Sequence, residues 1–174
     1  MRLRISLPGN PLSRWFAAFT LCHHENRVAR QLQERDVEYF LPTYEKVSQW
    51  RDRRVKLKQP LFPGYLFVRV SAVQRKEVLC APGVVSLVGP PGRPVEIQPN
   101  EIWKLQAAIE NAPVEPIDYL KIGERVRIQD GPLRGLSGIL YRKSNKLRMV
   151  ISVEAIMRSY LVEVDQALLE KDLQ

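Results

Sequence analysis

The chain has 174 residues, 45% of them hydrophobic and 26% charged, with a formal net charge of +8 and a pI of about 9.7. That composition excludes disorder as the dominant state, and no stretch approaches the roughly 20 apolar residues of a membrane span. Two cysteines, Cys22 and Cys80, exclude a disulfide framework and a paired-cysteine zinc site, while the positive balance favours an acidic partner, usually nucleic acid.

The length suits one compact domain or two small ones. Residues 1–13 read as a flexible arm, with Pro8, Gly9, Asn10 and Pro11 as breakers. The arm lacks an apolar run long enough for a signal peptide, so a cytoplasmic protein is expected. "RWFAAFTL" reads as a buried strand carrying Trp15, Phe16 and Phe19. "ENRVARQLQERD" follows with Val28, Ala29 and Leu32 on one helical face. "VEYFLPTYEKV" reads as extended, with Pro42 marking an edge position or a strand end. "SQWRDRRVKLKQP" is polar and basic and predicts an exposed hairpin or loop.

"GYLFVRV" predicts a strand. Ser71 then opens a helix by a capping box, accepting from the Gln74 N–H while the Gln74 side chain reaches back. "APG" ends that helix, "VVSLVG" is a short strand and "PPGRP" a turn. "PNEIWKLQAAIENAP" predicts a helix with Ile102, Leu105 and Ile109 along one stripe. A linker is expected at residues 112–119, where Pro113 and Pro116 interrupt the pattern. Beyond it, "ERVRIQ", "LSGILYR", "KLRMVISVE" and "SYLVEV" are short strands separated by "DGPLRG" and "KSN" turns. Period-two alternation in "LRMVISV" supports strand over helix. The expected class is α+β: a mixed domain over residues 14–111, then a small β-barrel over residues 120–174. Of the excess charge, +7 lies within residues 1–112, so nucleic-acid contact is expected mainly there.

Four stretches, "RWFAAFTLCHHENRVARQLQ", "FLPTYEKV", "LFPGYLFVRV" and "APGVVSLVG", occur in the order and spacing of the NusG N-terminal domain. "GERVRIQDGPLRGLSGIL" resembles a KOW motif at the expected distance behind them. Together they cover roughly residues 14 to 166, and the style of "HHENRVARQL", "LP" and "PLFPGYLFVRV" resembles specialised, RfaH-like antiterminators of polysaccharide operons more than housekeeping NusG. The resemblance implies a NusG-type α/β sandwich followed by an SH3-like KOW barrel. It also implies a monomeric transcription elongation and antitermination factor. In such a factor the N-terminal domain binds the clamp helices of the largest RNA polymerase subunit, and the KOW domain recruits Rho or a ribosomal protein. The competing reading is a ribosome-associated KOW protein that binds RNA.

Tyr65 and Phe67 share one face of their strand, and Phe62 precedes the Pro63-Gly64 turn. Pattern alone fits a core strand as well as an exposed aromatic face. The resemblance implies that Phe62, Tyr65, Phe67 and Trp15 contact the polymerase. The basic run Arg51, Arg53, Arg54, Lys56 and Lys58 reads as a solvated loop or as a phosphate-contacting one beside Trp50. His24, Arg27 and Arg30 read as an ordinary polar helix face. By resemblance they instead face the non-template DNA strand or the nascent RNA. In the barrel, the resemblance implies partner contact at Leu136, Ile156 and Met157. "CHH" lacks the ligand number of a zinc site, and no paired acid and base, phosphate-binding glycine loop or nucleophile elbow is present. No catalytic residue, metal or cofactor is therefore expected. The turn glycines and strand alternation favour a β form of residues 124–164 over the α-helical hairpin that some specialised relatives adopt.

Overall fold

A computed structural model of the chain describes residues 12–50, 53–117, 125–143, 146–164 and 169–171. The chain divides into two compact units, Met1–Pro99 and Asn100–Gln174.

The first unit is built on an antiparallel sheet. Its strands in chain order are β1 (Arg14–Thr20), β2 (Glu38–Phe40), β5 (Tyr65–Val70), β6 (Val84–Leu87) and β7 (Glu96–Ile97), and the spatial order is β2-β5-β1-β6, with β7 also on β1. Between β2 and β5 a separate two-stranded hairpin is formed by β3 (Thr43–Trp50) and β4 (Arg53–Pro60). Helix α1 (Glu25–Glu34) follows β1 and α2 (Gln74–Leu79) follows β5. Directly paired residues of antiparallel strands share a face, so the register sorts the sheet into two sides. One side carries Phe16 and Ala18 of β1, Leu66, Val68 and Val70 of β5, Tyr39 of β2 and Leu87 of β6. It packs with Val28, Ala29 and Leu32 of α1 and Val78 of α2 as one core. The i, i+1, i+4 spacing of the α1 residues is what gives the helix its buried stripe.

Pro42 falls between β2 and β3, at a strand end, because proline has no N–H to give a ladder. The capping box at α2 is present: the Gln74 N–H donates to Ser71 Oγ at 3.4 Å, and the Ser71 N–H donates to Gln74 Oε1 at 3.2 Å. The basic segment is strand rather than loop, paired from Thr43↔Pro60 to Trp50↔Arg53.

The second unit begins one residue into α3 (Pro99–Asn111) and holds strands β8 (Val114–Ile117), β9 (Arg125–Ile128), β10 (Ser137–Lys143), β11 (Lys146–Val153), β12 (Arg158–Glu163) and β13 (Leu169–Lys171). These strands form an antiparallel sheet in the order β13-β9-β10-β11-β12-β8. The described residues between 125 and 163 thus form strands and turns, with a 3-10 turn at Glu154–Ile156. On α3, Ile102, Leu105 and Ala108 are buried while Ile109 is only partly so, and the stripe runs through the smaller residue. The segment expected as a linker at residues 112–119 instead carries β8, which pairs with β12 from Ser159↔Ile117 to Val162↔Val114. Val114 is buried there, Pro113 precedes the strand, and Pro116 sits within it at the sheet edge, where a missing donor costs little. The arm expected at residues 1–13 lies, up to residue 11, outside the described residues.

Candidate functional site

The second side of the first unit's sheet is aromatic at one end and charged at the other. Register places Phe19 beside Tyr65, then Ala17 and Phe40 on either side of Phe67, then Trp15 and Glu38 on either side of Arg69. The Phe19 and Tyr65 rings lie 5.3 Å apart, centroid to centroid. Phe67 stacks on Phe40 at 6.2 Å and meets Phe62 at 6.1 Å with the two ring planes perpendicular. Of the four positions singled out for polymerase contact, only Tyr65 keeps part of its surface in solvent. Phe62 and Phe67 are 1% and 0% exposed, and Trp15 is buried as well. The reason is local: Phe62 closes over Phe67 from the turn, and Phe40 closes over it from the next strand. Phe19, 39% exposed, completes the accessible pair. Alternation from Trp15 through Ala17 to Phe19 contained that signal.

The turn that carries Tyr65 is held at three points. The Gly64 N–H donates to Glu25 Oε1 at 2.7 Å, the Thr20 N–H donates to the Gly64 carbonyl at 2.8 Å, and the Tyr65 N–H donates to the Phe62 carbonyl at 3.0 Å. Gly64 has φ +82°, and a Cβ there would stand 3.3 Å from the Phe19 ring. Glycine is therefore needed both for the left-handed backbone and for the approach of the ring. Glu25 is buried, although it opens a helix that is otherwise polar outside its apolar stripe. Its spacing from Val28, Ala29 and Leu32 places it on that stripe, a signal the sequence reading left unused.

At the charged end, Arg69 Nη1 lies 3.6 Å from Glu38 Oε2. Burial raises the Glu38 carboxyl above its ordinary value, and the Arg69 guanidinium lowers it part of the way back.

The basic residues fall into distinct places. Arg54, Lys56 and Lys58 alternate along β4 and are exposed, and Lys56 Nζ pairs with Glu45 Oε2 at 3.3 Å. Arg53 closes the ladder opposite Trp50, and Arg51 lies outside the described residues. Arg27 and Arg30 of α1 are exposed, whereas His24 is half-buried. The His24 Nδ1 has no hydrogen-bond partner among the described residues. A Cβ on Gly83 would come within 2.9 Å of that nitrogen. Arg30 and Lys58, remote in sequence, line one cleft of about 380 Å³. Asn26 and Thr43 also line it, together with Ala29, Tyr39 and Leu41. Arg27 is not among the lining residues.

In the second unit, Leu136 and Ile156 are buried and belong to the packing of the sheet, which corrects their expected place on a partner-facing surface. Met157 is 65% exposed and sits at φ +49° at the tip of the β11–β12 connection. Among the described residues no group of three His, Cys, Asp or Glu side chains gathers as metal ligands, and no helix is long and apolar enough to cross a membrane.

A family model described as "Transcription termination factor nusG" matches residues 13–106. The transcription termination/antitermination protein NusG of Deinococcus radiodurans is 29% identical over 181 aligned residues, covering 87% of this chain and 95% of that one. NusG of Escherichia coli K12 is 28% identical over 179, covering 92% of this chain and 97% of its own. The solved structure of Thermotoga maritima NusG superimposes with a TM-score of 0.58 at 20% identity, covering 91% of this chain and 97% of that one. The match in fold extends over both units, and the sequence match includes the strands and turn that carry Phe19, Gly64 and Tyr65. The chain belongs to the NusG family of transcription factors.

Proposed function

We propose that this chain is a non-enzymatic elongation and antitermination factor that docks on RNA polymerase through Tyr65 and Phe19. The docking element is the pair of clamp helices on the largest subunit. The observation that carries the reading is the accessible Phe19–Tyr65 pair on a turn tied down at Gly64. Aromatic anchors on a rigid support lose little entropy on binding and dominate many interfaces, and a helix laid against an apolar surface is a recurring way to use them. Phe62, Phe67 and Trp15 act from beneath, by packing. Arg27, Arg30, Arg54, Lys56 and Lys58 face the non-template DNA or nascent RNA that the polymerase holds. Met157 is the contact of the second unit for a further factor, Rho or a ribosomal protein. The protein works in the cytoplasm, and its motif style is that of a specialised paralogue. The test is transcription by the cognate polymerase, scored for pausing and termination with and without the protein, alongside co-purification. A folded protein that neither binds polymerase nor alters either score refutes the reading.

A further inference from the structure

The turn between β9 and β10 carries a reactive pair that plays no part in docking or nucleic-acid contact. Asp130 precedes Gly131, and no other aspartate or asparagine of the chain precedes a glycine. Both residues are exposed. The Gly131 N–H donates to Asp130 Oδ1 at 2.8 Å. That oxygen is one bond from Cγ, so the Gly131 nitrogen lies in the ~3–3.5 Å range of a near-attack contact on the carboxyl carbon. Glycine has no Cβ to crowd the approach, in contrast with Asp36, whose successor is the buried, β-branched Val37. Gly131 sits at φ +83°, and the turn around it is tied down. The Arg134 N–H donates to the Gly131 carbonyl at 3.1 Å, the Gly135 N–H to the Ile128 carbonyl at 2.8 Å, and the Ile128 N–H to the Leu136 carbonyl at 2.9 Å. These bonds hold nitrogen and carboxyl together instead of letting them average over an open loop.

We propose that Asp130 is a modification site, where the aspartyl link to Gly131 converts to isoaspartate and becomes a substrate for a carboxyl methyltransferase that uses S-adenosylmethionine. The Gly131 nitrogen attacks Cγ of the protonated carboxyl, an N–Cγ bond forms, the amide proton and the carboxyl hydroxyl leave as water, and a five-membered succinimide closes. Water then adds at the main-chain carbonyl carbon of Asp130 and breaks its bond to the Gly131 nitrogen, which takes back a proton. Nothing is oxidised or reduced, and the mass is unchanged. The main chain now runs through Cβ and Cγ, one carbon longer, and the former main-chain carboxyl is a free carboxylate. The methyltransferase moves the sulfonium methyl to an oxygen of that carboxylate, and S-adenosylhomocysteine departs. The extra carbon displaces Gly131 from Arg134 and loosens the turn in front of buried Leu136. The conversion is independent of the polymerase and nucleic-acid readings.

The folded full chain is incubated for several weeks in warm neutral buffer, beside a synthetic peptide of residues 128–134, the fragment that trypsin releases around this turn. Samples of the chain are digested with trypsin, resolved by liquid chromatography and mass spectrometry, and labelled with an isoaspartyl methyltransferase and tritiated S-adenosylmethionine. The 128–134 fragment is expected to split into two peaks of equal mass, of which only the new one takes the label. Its rate of appearance from the folded chain is expected within about threefold of that in the free peptide, because the turn already holds the near-attack contact. Conversion in the folded chain about tenfold or more slower than in the peptide means that the fold blocks the reaction, and overturns the proposal. Label confined to fragments with other aspartates does the same. Asp130→Glu, which would have to close a six-membered ring, is expected to lose the label from this fragment while keeping the parental urea midpoint; label retained there overturns the assignment. The converted fraction is expected to melt at a lower temperature in circular dichroism than the fresh chain. An unchanged transition overturns the loosening of the turn.

Discussion

Glu25→Ala removes a carboxylate that touches no solvent-facing surface and tests whether the aromatic turn is held from below. In the folded protein the Gly64 N–H donates to Glu25 Oε1 at 2.7 Å, and both residues are buried. A hydrogen bond to a charged group contributes about 1.5–3 kcal/mol, and its loss leaves the Gly64 donor without a partner. Glu25 also opens α1, where an acidic side chain meets the positive end of the helix and adds about 0.3–1 kcal/mol. Relief of the carboxylate's own burial offsets part of this, so the net loss is about 2 kcal/mol. With an m-value of about 2 kcal/mol/M, the urea midpoint should fall by about 1 M. Buried Trp15 in the same sheet reports the transition by fluorescence. Glu34→Ala, exposed at the other end of the helix, is the control and should stay within about 0.5 kcal/mol of the parent. A midpoint for Glu25→Ala within about 0.2 M of the parent refutes the staple. On the proposed function, the same substitution also weakens polymerase binding, although Glu25 itself is too deeply buried to touch a partner.

Tyr65→Ala should keep near-parental unfolding and lose polymerase binding, whereas Phe67→Ala should lose about 3–5 kcal/mol of stability by emptying the site between Phe40 and Phe62. Co-purification and urea unfolding of the two variants check this, and equal behaviour contradicts the division into exposed and buried aromatics. Gly138→Ala should destabilise the second unit by about 1–3 kcal/mol, because a Cβ there collides with the Val150 carbonyl and stands 2.7 Å from Met149 Cγ; a thermal transition unchanged in circular dichroism counts against the tight β10–β11 approach. For Glu38, whose folded carboxyl lies above the ordinary 4.5, the native state holds a proton that the unfolded chain has already released. Its favourable contribution is complete below that ordinary value and is lost as pH rises through the folded value. Glu38→Gln should therefore gain stability relative to the parent on going from pH 4.5 to 8, read as the difference of urea midpoints; a constant or reversed difference rejects the assignment.

Local chemistry made much of the fold legible. Alternation in "LRMVISV" produced β11, the apolar spacing in "ENRVARQLQ" produced α1, and Ser71 with Gln74 produced the cap of α2. Strands β7, β8 and β13 were missed, being two to four residues long and two of them flanked or occupied by proline, too short for a period to show. The site was legible in its residue types and less so in their exposure. "LFPGYLFVRV" signals two faces, and the register keeps Tyr65 and Phe67 together on one of them. Only the ring contacts from Phe40 and Phe62 decide that Phe67 is interior and Tyr65 is not.

By itself, then, the sequence determined the periodicities, caps, turns and excess positive charge, because each depends on residues within a few positions of one another. The resemblance of its motifs in order determined the family. Tertiary structure decided what depends on contacts between distant segments. It joined Glu25 to Gly64 across 39 positions, paired Phe19 with Tyr65 across two strands, and set Arg30 of a helix beside Lys58 of a hairpin around one cleft. It also turned Leu136 and Ile156 inward while leaving Met157 outside. Burial is a property of the packed neighbourhood, and one strand's alternation specifies which face a side chain takes without specifying what covers that face.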